Sequence, residues 1–189
     1  MCRGTGLGLP PAVCLTCDGH GHISAGNPFL RFREAAWTNE LLAASIQQTG
    51  SDFGNLQLFD AETNTLRIAA QQGFGPEFLL YFREVSGSTS ACGAAMEQRS
   101  RIVSRNVALD PVFHNGSKDM LLRSGVRSVQ STPLITPSGI FIGMLSTHFD
   151  KPRAFPPRLL KELDAIIASF MANIEADANS ATNAARTLD

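Results

Sequence analysis

Four side chains that can bind zinc lie close together near the start of the chain. They are Cys14, Cys17, His20 and His22 in the segment CLTCDGHGH. Thiolates and imidazoles are the ligands that structural zinc sites use. Such sites usually combine two ligand pairs about a dozen or more residues apart, so that a small fold closes around the metal. The compact spacing therefore favours an extension without metal, with a zinc site as the alternative.

Another cysteine, Cys92, follows Ser90 in the small-residue segment SGSTSACGAAMEQ. Ser90 is a suitable N-cap, so the segment predicts a short helix with Cys92 in its first turn. A helix amino terminus lowers the pKa of an exposed thiol and favours thiolate chemistry. A lone cysteine can equally serve as a small buried apolar residue. Redox catalysis and core packing are thus the two interpretations of Cys92.

Polar residues also gather on two apolar segments late in the chain. The stretch GVRSVQSTPLITPSGIFIGMLSTHF predicts two strands joined at residues 137–139. Residues 130–132 (Gln, Ser, Thr) lie on one arm and residues 146–148 (Ser, Thr, His) on the other. Adjacent residues on a strand face opposite ways, so only some of these six can point to one site. Hydrogen bonding to loop backbone is the alternative role for them, and a satisfied imidazole is the alternative for His148.

Composition excludes several functional classes. The chain has 189 residues with 16 Lys and Arg against 17 Asp and Glu, and the basic residues form no continuous stripe. Nucleic acid is therefore not an expected partner. No apolar run reaches the roughly 18 to 20 residues of a membrane span, so we expect a cytoplasmic protein that does not enter a membrane. The cysteines lack the spacing of a disulfide scaffold, and reduced thiols are expected.

The elements that must position these residues follow from periodicity and turn chemistry. Apolar residues at helical spacing predict long helices at both ends of the folded region. Alternating segments between them predict antiparallel hairpins, and short helices lie in the middle. The predicted helices are 34–48, 76–84, 90–98, 110–113, 117–125 and 157–174, and the predicted strands are 54–60, 65–72, 101–104 and the two arms of the 125–149 hairpin.

These elements predict an α+β fold with an antiparallel sheet. The terminal helices are expected to cover one face of the sheet, and the middle segments the other. Residues 1–33 are predicted to be a flexible extension that contains Gly, Pro, Cys and His, because they show no periodicity that could bury a core. Residues 34–176 form the predicted domain, and residues 177–189 a disordered tail.

Three segments together resemble a bacterial GAF domain of the type found beside PAS domains and histidine kinases. They are DFGNLQLFDAETNTLRIAAQQGF, ACGAAMEQRSRIVSRNVALDPVF and GVRSVQSTPLITPSGIFIGMLSTHF, in that order. The resemblance covers roughly residues 37–174. It implies a GAF-like (PAS/profilin-like) sheet with terminal helices on one face and a small-molecule pocket, formed by short helices and loops, on the other.

The resemblance also implies where polar residues meet. In the GAF arrangement the first strand lies beside the last, which would bring Asn55 and Gln57 next to Ser146 and His148. Small-molecule sites are mostly apolar cavities with a few placed polar groups. The residues expected to bind ligand are Asn55, Gln57, Cys92, Gln130, Thr132, Ser146 and His148.

Known GAF ligands and activities can be compared with the residues present. Covalent bilin is commonly attached through a cysteine followed by histidine, and neither His114 nor His148 follows a cysteine. The signature of cyclic-nucleotide-binding members is missing, and two isolated histidines are weak support for haem. Free methionine sulfoxide reductases of this fold need cysteines in the middle loop, and residues 106–124 contain none. The cofactor or ligand therefore stays unknown.

The sequence accordingly predicts a non-catalytic sensory protein that binds a small molecule. Signalling would pass through the terminal helices to a second copy of the chain, as a homodimer, or to a partner such as a histidine kinase in a two-component system. One alternative is a cysteine-dependent redox enzyme similar to free methionine sulfoxide reductases. The other is a structural dimerisation domain whose pocket is filled by its own side chains.

Overall fold

The computed structural model of the protein describes residues 27–114 and 116–186. Helices and strands are interspersed along these ranges in a mixed α and β arrangement. The helices are α1 (Pro28–Phe32), α2 (Ala36–Thr49), α3 (Pro76–Tyr81), α4 (Ala91–Gln98), α5 (Ser117–Arg123) and α6 (Pro157–Arg186). The strands are β1 (Phe53–Asp60), β2 (Thr65–Gln72), β3 (Glu84–Val85), β4 (Ile102–Ser104), β5 (Ser128–Ile135) and β6 (Phe141–Phe149).

The six strands form one antiparallel sheet in the order β3-β2-β1-β6-β5-β4. The predicted hairpins β1–β2 and β5–β6 are both present. In the β1–β2 turn Asn64 takes a positive φ, a conformation that asparagine tolerates better than most residues. At the centre of the sheet β1 pairs with β6, so that Leu56 lies opposite Leu145. The predicted α+β fold class with an antiparallel sheet is confirmed.

The terminal helices α2 and α6 cover one face of the sheet. Leu163, Ile167 and Met171 of α6 are buried against Leu56 and Leu145 at the one-turn spacing that the sequence pattern indicated. Each such side chain contributes about 1.5–3 kcal/mol by leaving water. Although α6 spans 30 residues, no helix in the described ranges is both long and apolar enough to cross a membrane.

The opposite face of the sheet is covered by α3, α4 and α5, which we call the roof. Phe78 of α3, Met96 of α4 and Leu121 of α5 form a second apolar core with Val129 and Met144 of the sheet. The domain is therefore a sheet between two separate cores. This layering confirms the predicted division between terminal helices and middle segments.

Some local predictions differ from the structure. Residues 110–113, predicted as helix, form a turn in which the Asp110 carboxylate accepts from the Val112 amide at 3.0 Å. Pro28–Phe32 form α1 inside the segment predicted as an extension. The final helix continues to Arg186, beyond the point where the sequence predicted a disordered tail. Residues 110–113 form a turn because an aspartate side chain can bond the backbone amide two residues further on. The final helix is longer than predicted because it ends in a run of small, helix-forming residues.

Gly143 provides a test of the central strand pairing. A Cβ atom placed there would lie 2.0 Å from the carbonyl oxygen of Gln57 on β1. Because the clash is with backbone of the neighbouring strand, we expect Gly143→Ala to destabilise the domain by about 2 kcal/mol or more in urea unfolding. Gly75→Ala is the matched control, because a Cβ at Gly75 meets no atom within 4 Å. Equal stability of the two variants would contradict the observed β1–β6 register.

Candidate functional site

A row of polar side chains crosses the roof-facing side of the central strands. Asn55 on β1 lies opposite Ser146 on β6, and Ser146 lies opposite Ser131 on β5. His148 follows on the same face of β6, opposite Val129. Because side chains alternate along each strand, these four polar groups share one face. The two serine hydroxyls bond each other at 2.7 Å.

Between this row and the roof lies a cavity of about 20 Å³. It has room for about one ordered water, whereas drug-sized ligand sites span roughly 300–1,000 Å³. Side chains therefore nearly fill the cavity in this structure. Its lining residues are Asn55, Phe78, Phe82, Ser90, Ala91, Cys92, Phe113, Leu121, Val129, Ser131, Ser146 and His148.

A larger hollow of about 530 Å³ lies elsewhere, as an open groove near β4 and the start of α6. Arg105, Leu109 and Phe155 are among its lining residues, and none of the predicted ligand-binding residues borders it. Volume alone would select this groove. The smaller cavity is the better candidate because buried polar groups converge there.

Unpaired polar atoms distinguish the roof-facing side of the sheet. Asn55 Oδ1 and His148 Nδ1 are buried without a hydrogen-bond partner, and their residues are 3% and 5% exposed. Both amide atoms of Gln57 are also unpaired, although that residue is 0% exposed. Four of the seven such atoms within the described ranges thus belong to three neighbouring residues. Buried polar groups normally have partners, so this concentration makes the roof-facing side of the sheet the candidate functional site.

His148 is held in its neutral form by its surroundings. Its ring meets the rings of Phe74 and Phe78 edge-on, with centroids 5.0 and 6.1 Å away. Burial among these apolar groups lowers the pKa of His148 to about 3. A neutral imidazole offers one donor and one acceptor nitrogen, so His148 can donate a hydrogen bond to an uncharged molecule or accept one from it.

Cys92 lies on the roof side of the cavity in the first turn of α4. Ser90 is the N-cap of that helix, as predicted, and its hydroxyl lies 3.2 Å from the Cys92 thiol. Burial raises the pKa of Cys92 above its usual value, and the Ser90 hydrogen bond opposes the shift only in part. Desolvation therefore outweighs the effect of the helix terminus, and the thiol form is favoured.

The seven sequence-predicted ligand-binding residues fall into three groups by position: four line the cavity, one lies on the same sheet face outside it, and two lie on the opposite face. Asn55, Cys92, Ser146 and His148 line the cavity. Gln57 faces the same side of the sheet but lies outside the cavity lining. The ligand-binding role of each stays a prediction.

Gln130 and Thr132 require a correction, because they face α6 instead of the cavity. Gln130 donates to the Thr147 hydroxyl at 3.1 Å and accepts from Thr132 at 2.5 Å. The reason is strand alternation: Ser131, between them, is the residue that turns toward the cavity. Sequence reasoning omitted Ser131 from the site, yet its register opposite Ser146 would have identified it.

The predicted zinc ligands Cys14, Cys17, His20 and His22 lie outside the described residues. Within the described ranges, no group of three or more His, Cys, Asp or Glu side chains is placed to hold a metal ion. His114 is exposed, and one of its ring nitrogens lies 3.2 Å from the Val112 carbonyl. It does not border the cavity.

The fold agrees with comparisons to known proteins. The model of the GAF domain family matches residues 36–175. The chain therefore belongs to the GAF domain family. No curated protein matches the sequence.

Several solved structures share the fold. A domain of a protein described as a two-component sensor histidine kinase, from Sinorhizobium meliloti 1021, is 22% identical with a TM-score of 0.61, over 72% of this chain and 87% of that one. The PixJ GAF domain of Thermosynechococcus elongatus, in its blue-light absorbing form, is 14% identical with a TM-score of 0.61, over 83% and 93%.

An enzyme is also similar in fold. Free methionine-R-sulfoxide reductase from Neisseria meningitidis, solved in complex with its substrate, is 20% identical with a TM-score of 0.54, over 70% of this chain and 74% of that chain. At these identities each likeness supports the fold alone. The choice between sensing and catalysis therefore depends on the residues of this chain.

The low pKa of His148 predicts how stability varies with pH. Below pH 6.5 the unfolded imidazole binds a proton while the folded one stays neutral down to about pH 3. Falling pH therefore favours unfolding, by about 2 kcal/mol between pH 7 and pH 5. His148→Gln should remove this part of the pH dependence, as measured by urea unfolding at both pH values.

His114→Gln is the matched control, because His114 is exposed and outside the cavity. This variant should keep the wild-type pH dependence. If His148→Gln also kept it, the neutral, enclosed imidazole would be the wrong description of the site.

Proposed function

We propose that this GAF domain is a non-catalytic sensory module that binds a compact, uncharged molecule between the sheet and the roof. The observation that carries the proposal is the presence of unpaired, buried polar atoms at one small cavity. Asn55 Oδ1 and His148 Nδ1 border that cavity without partners. A bound molecule that donates to the amide oxygen and bonds the imidazole would remove their desolvation cost.

The charge of the ligand follows from the lining. Every cavity-lining residue that the structure describes is formally neutral, including His148 with its low pKa. A buried ion without a counter-charge is far more costly than a buried neutral polar group. The lining therefore favours an uncharged ligand with at least one donor and one acceptor, such as an amide.

The small volume implies that the roof moves when a ligand larger than water binds. Gln57 lies beyond Asn55 on the same strand face, and its unpaired amide would become accessible if the cavity extended toward Met144. Most lining residues on the roof are apolar, and apolar contacts are less directional than hydrogen bonds. A ligand would favour the open arrangement only by its greater affinity for that state.

The output of the module would pass through α2 and α6, which lie on the other face of the sheet. Several small residues of α6 are exposed away from the sheet, among them Ala165, Ala168 and Ala172. A second copy of the chain could pack there, with helices side by side. A histidine kinase is the proposed type of downstream partner, in line with the likeness to the Sinorhizobium meliloti domain.

A cysteine-dependent redox enzyme is the second candidate, because Cys92 lines the cavity and the reductase from Neisseria meningitidis shares the fold. The raised pKa of Cys92 opposes this role, since the thiolate is the reactive form. We therefore expect Cys92 to react slowly with a disulfide reagent in a chain whose Cys2, Cys14 and Cys17 are replaced by Ser. The rate should rise sharply in urea. A fast native reaction would favour the enzyme.

The third candidate is a structural dimerisation domain, which the small cavity favours. Binding of acetamide would separate the sensory proposal from this candidate. Acetate has nearly the same shape as acetamide and differs in charge, so it tests whether the ligand is uncharged. We expect acetamide, and not acetate, to shift the backbone amide NMR signals around Asn55, Ser146 and His148. Asn55→Leu should weaken acetamide binding by about tenfold, the effect of losing one buried hydrogen bond.

Asn39→Leu makes the same replacement on the exposed side of α2 and should leave acetamide binding unchanged. Equal binding of acetate would contradict the uncharged ligand class. Binding that survives in Asn55→Leu would contradict the site. Absence of any acetamide effect, together with a native mass of two chains and no additional bound mass, would support the structural dimerisation domain.

A further inference from the structure

A chain of side-chain hydrogen bonds runs across the helix-facing side of the sheet. It starts at Thr147, whose hydroxyl accepts from Gln130 at 3.1 Å. The Gln130 amide oxygen accepts from Thr132 at 2.5 Å, and the Thr132 hydroxyl accepts from Arg101 Nε at 2.7 Å. The Arg101 guanidinium then donates to both carboxylate oxygens of Asp164 on α6. We call these five residues the Arg101 chain.

The sheet end of the Arg101 chain alternates with the cavity residues along the same strands. Thr147 lies between Ser146 and His148, and Gln130 lies next to Ser131. Successive side chains on these strand segments therefore alternate between the cavity and the Arg101 chain. A shift of the backbone at Ser131 and Ser146 would change the geometry of the Gln130–Thr147 bond.

The other end of the Arg101 chain also connects to the roof. Arg101 follows α4, the helix that carries Cys92 at the cavity, by a short connection in which Arg99 takes a positive φ. Displacement of α4 by a ligand would therefore move Arg101 as well. Among the described residues, the Arg101–Asp164 ion pair is the one salt bridge between α6 and a residue outside that helix.

The members of the Arg101 chain differ in how easily their contacts break. Gln130 and Thr132 are buried, so loss of their bonds would leave polar groups without water or partner. Asp164 is 55% exposed in its side chain, and water can replace its contact with Arg101 at little cost. The buried bonds should therefore persist, while the contact with α6 is the one that breaks first.

We propose that the Arg101 chain transmits the state of the cavity to α6, with Arg101 as the positioning residue at the point of release. The inference rests on the proposed function, because a cavity occupant supplies the change that is transmitted. It assigns a regulatory role to Gln130 and Thr132, although these residues do not face the cavity. The α6 helix would be held by Arg101 in one state and released in the other.

A test without any ligand uses Ser146→Val to fill the cavity. Hydrogen–deuterium exchange of α6 peptides would be compared between this variant and wild type, with β2 peptides as the internal reference for global stability. We expect exchange in α6 to change by about threefold or more relative to β2, within the range of measured coupling between sites. In an Arg101→Gln background, Ser146→Val should no longer change α6 exchange.

Arg158→Gln is the matched control, because it removes another arginine–carboxylate contact of α6, to Glu162, outside the chain. The effect of Ser146→Val should persist in that background. Asp164→Asn breaks the Arg101 contact from its exposed end and should act like Arg101→Gln, which covers the case that Arg101→Gln folds poorly. An effect of Ser146→Val that persists in Asp164→Asn, or that is missing in wild type, would overturn the proposal.

The Ser146→Val test of transmission and the acetamide test of the proposed function can fail independently. If acetamide fails to bind but Ser146→Val alters α6 through Arg101, the transmission stands and the ligand class is wrong. If acetamide binds and Ser146→Val has no effect on α6, the ligand site stands and the Arg101 chain has no role in transmission.

Discussion

Pairing of β1 with β6 at the centre of the sheet is the interaction on which the rest of the structure depends. It joins the first and last strands of the domain, and Phe53 lies opposite His148 at one end of the pair. The pairing also brings α2 and α6 to the same face, where Gln48 donates to Glu162 at 2.8 Å. Without it, Asn55 would not lie beside Ser146, and neither the cavity nor the helix pair would form.

The two faces of this central pair carry different free-energy terms. On the helix face, leucines such as Leu56 and Leu145 are packed in an apolar core. On the roof face, Asn55, Gln57 and His148 leave polar atoms unpaired. Each unpaired atom costs about 1–3 kcal/mol, against a total stability of about 5–15 kcal/mol for a typical domain. A molecule or ordered water that bonded these atoms would offset part of that cost.

Much of the architecture follows from sequence patterns that reflect local physics. The apolar spacing in α6, the hairpins and the Ser90 cap all depend on spacing or on single residues with strong preferences. Asn55 and His148 could be placed near each other because the family resemblance supplied the neighbouring strands. The long-range pairing itself is not encoded in any local pattern.

The details of the site depended on information that one sequence does not contain. Gln130 and Thr132 could be assigned to the correct face of the sheet only if it were known which alternate residues of β5 face the roof. A shift of one residue moves every side chain of a strand to the opposite face. The same knowledge would have placed Ser131 in the site instead of these two residues. The size of the cavity could not be predicted, because it depends on how the side chains of Phe78, Phe82 and Phe113 fill the space beneath the roof.

The central claim is that the unpaired atoms at the cavity have a partner in the native protein. The most direct test is a crystal structure of the purified chain at a resolution that shows ordered water. We expect electron density for water or a small molecule within hydrogen-bonding distance of Asn55 Oδ1 and His148 Nδ1. A dry cavity, with both side chains turned to bond neighbouring protein groups, would contradict the account.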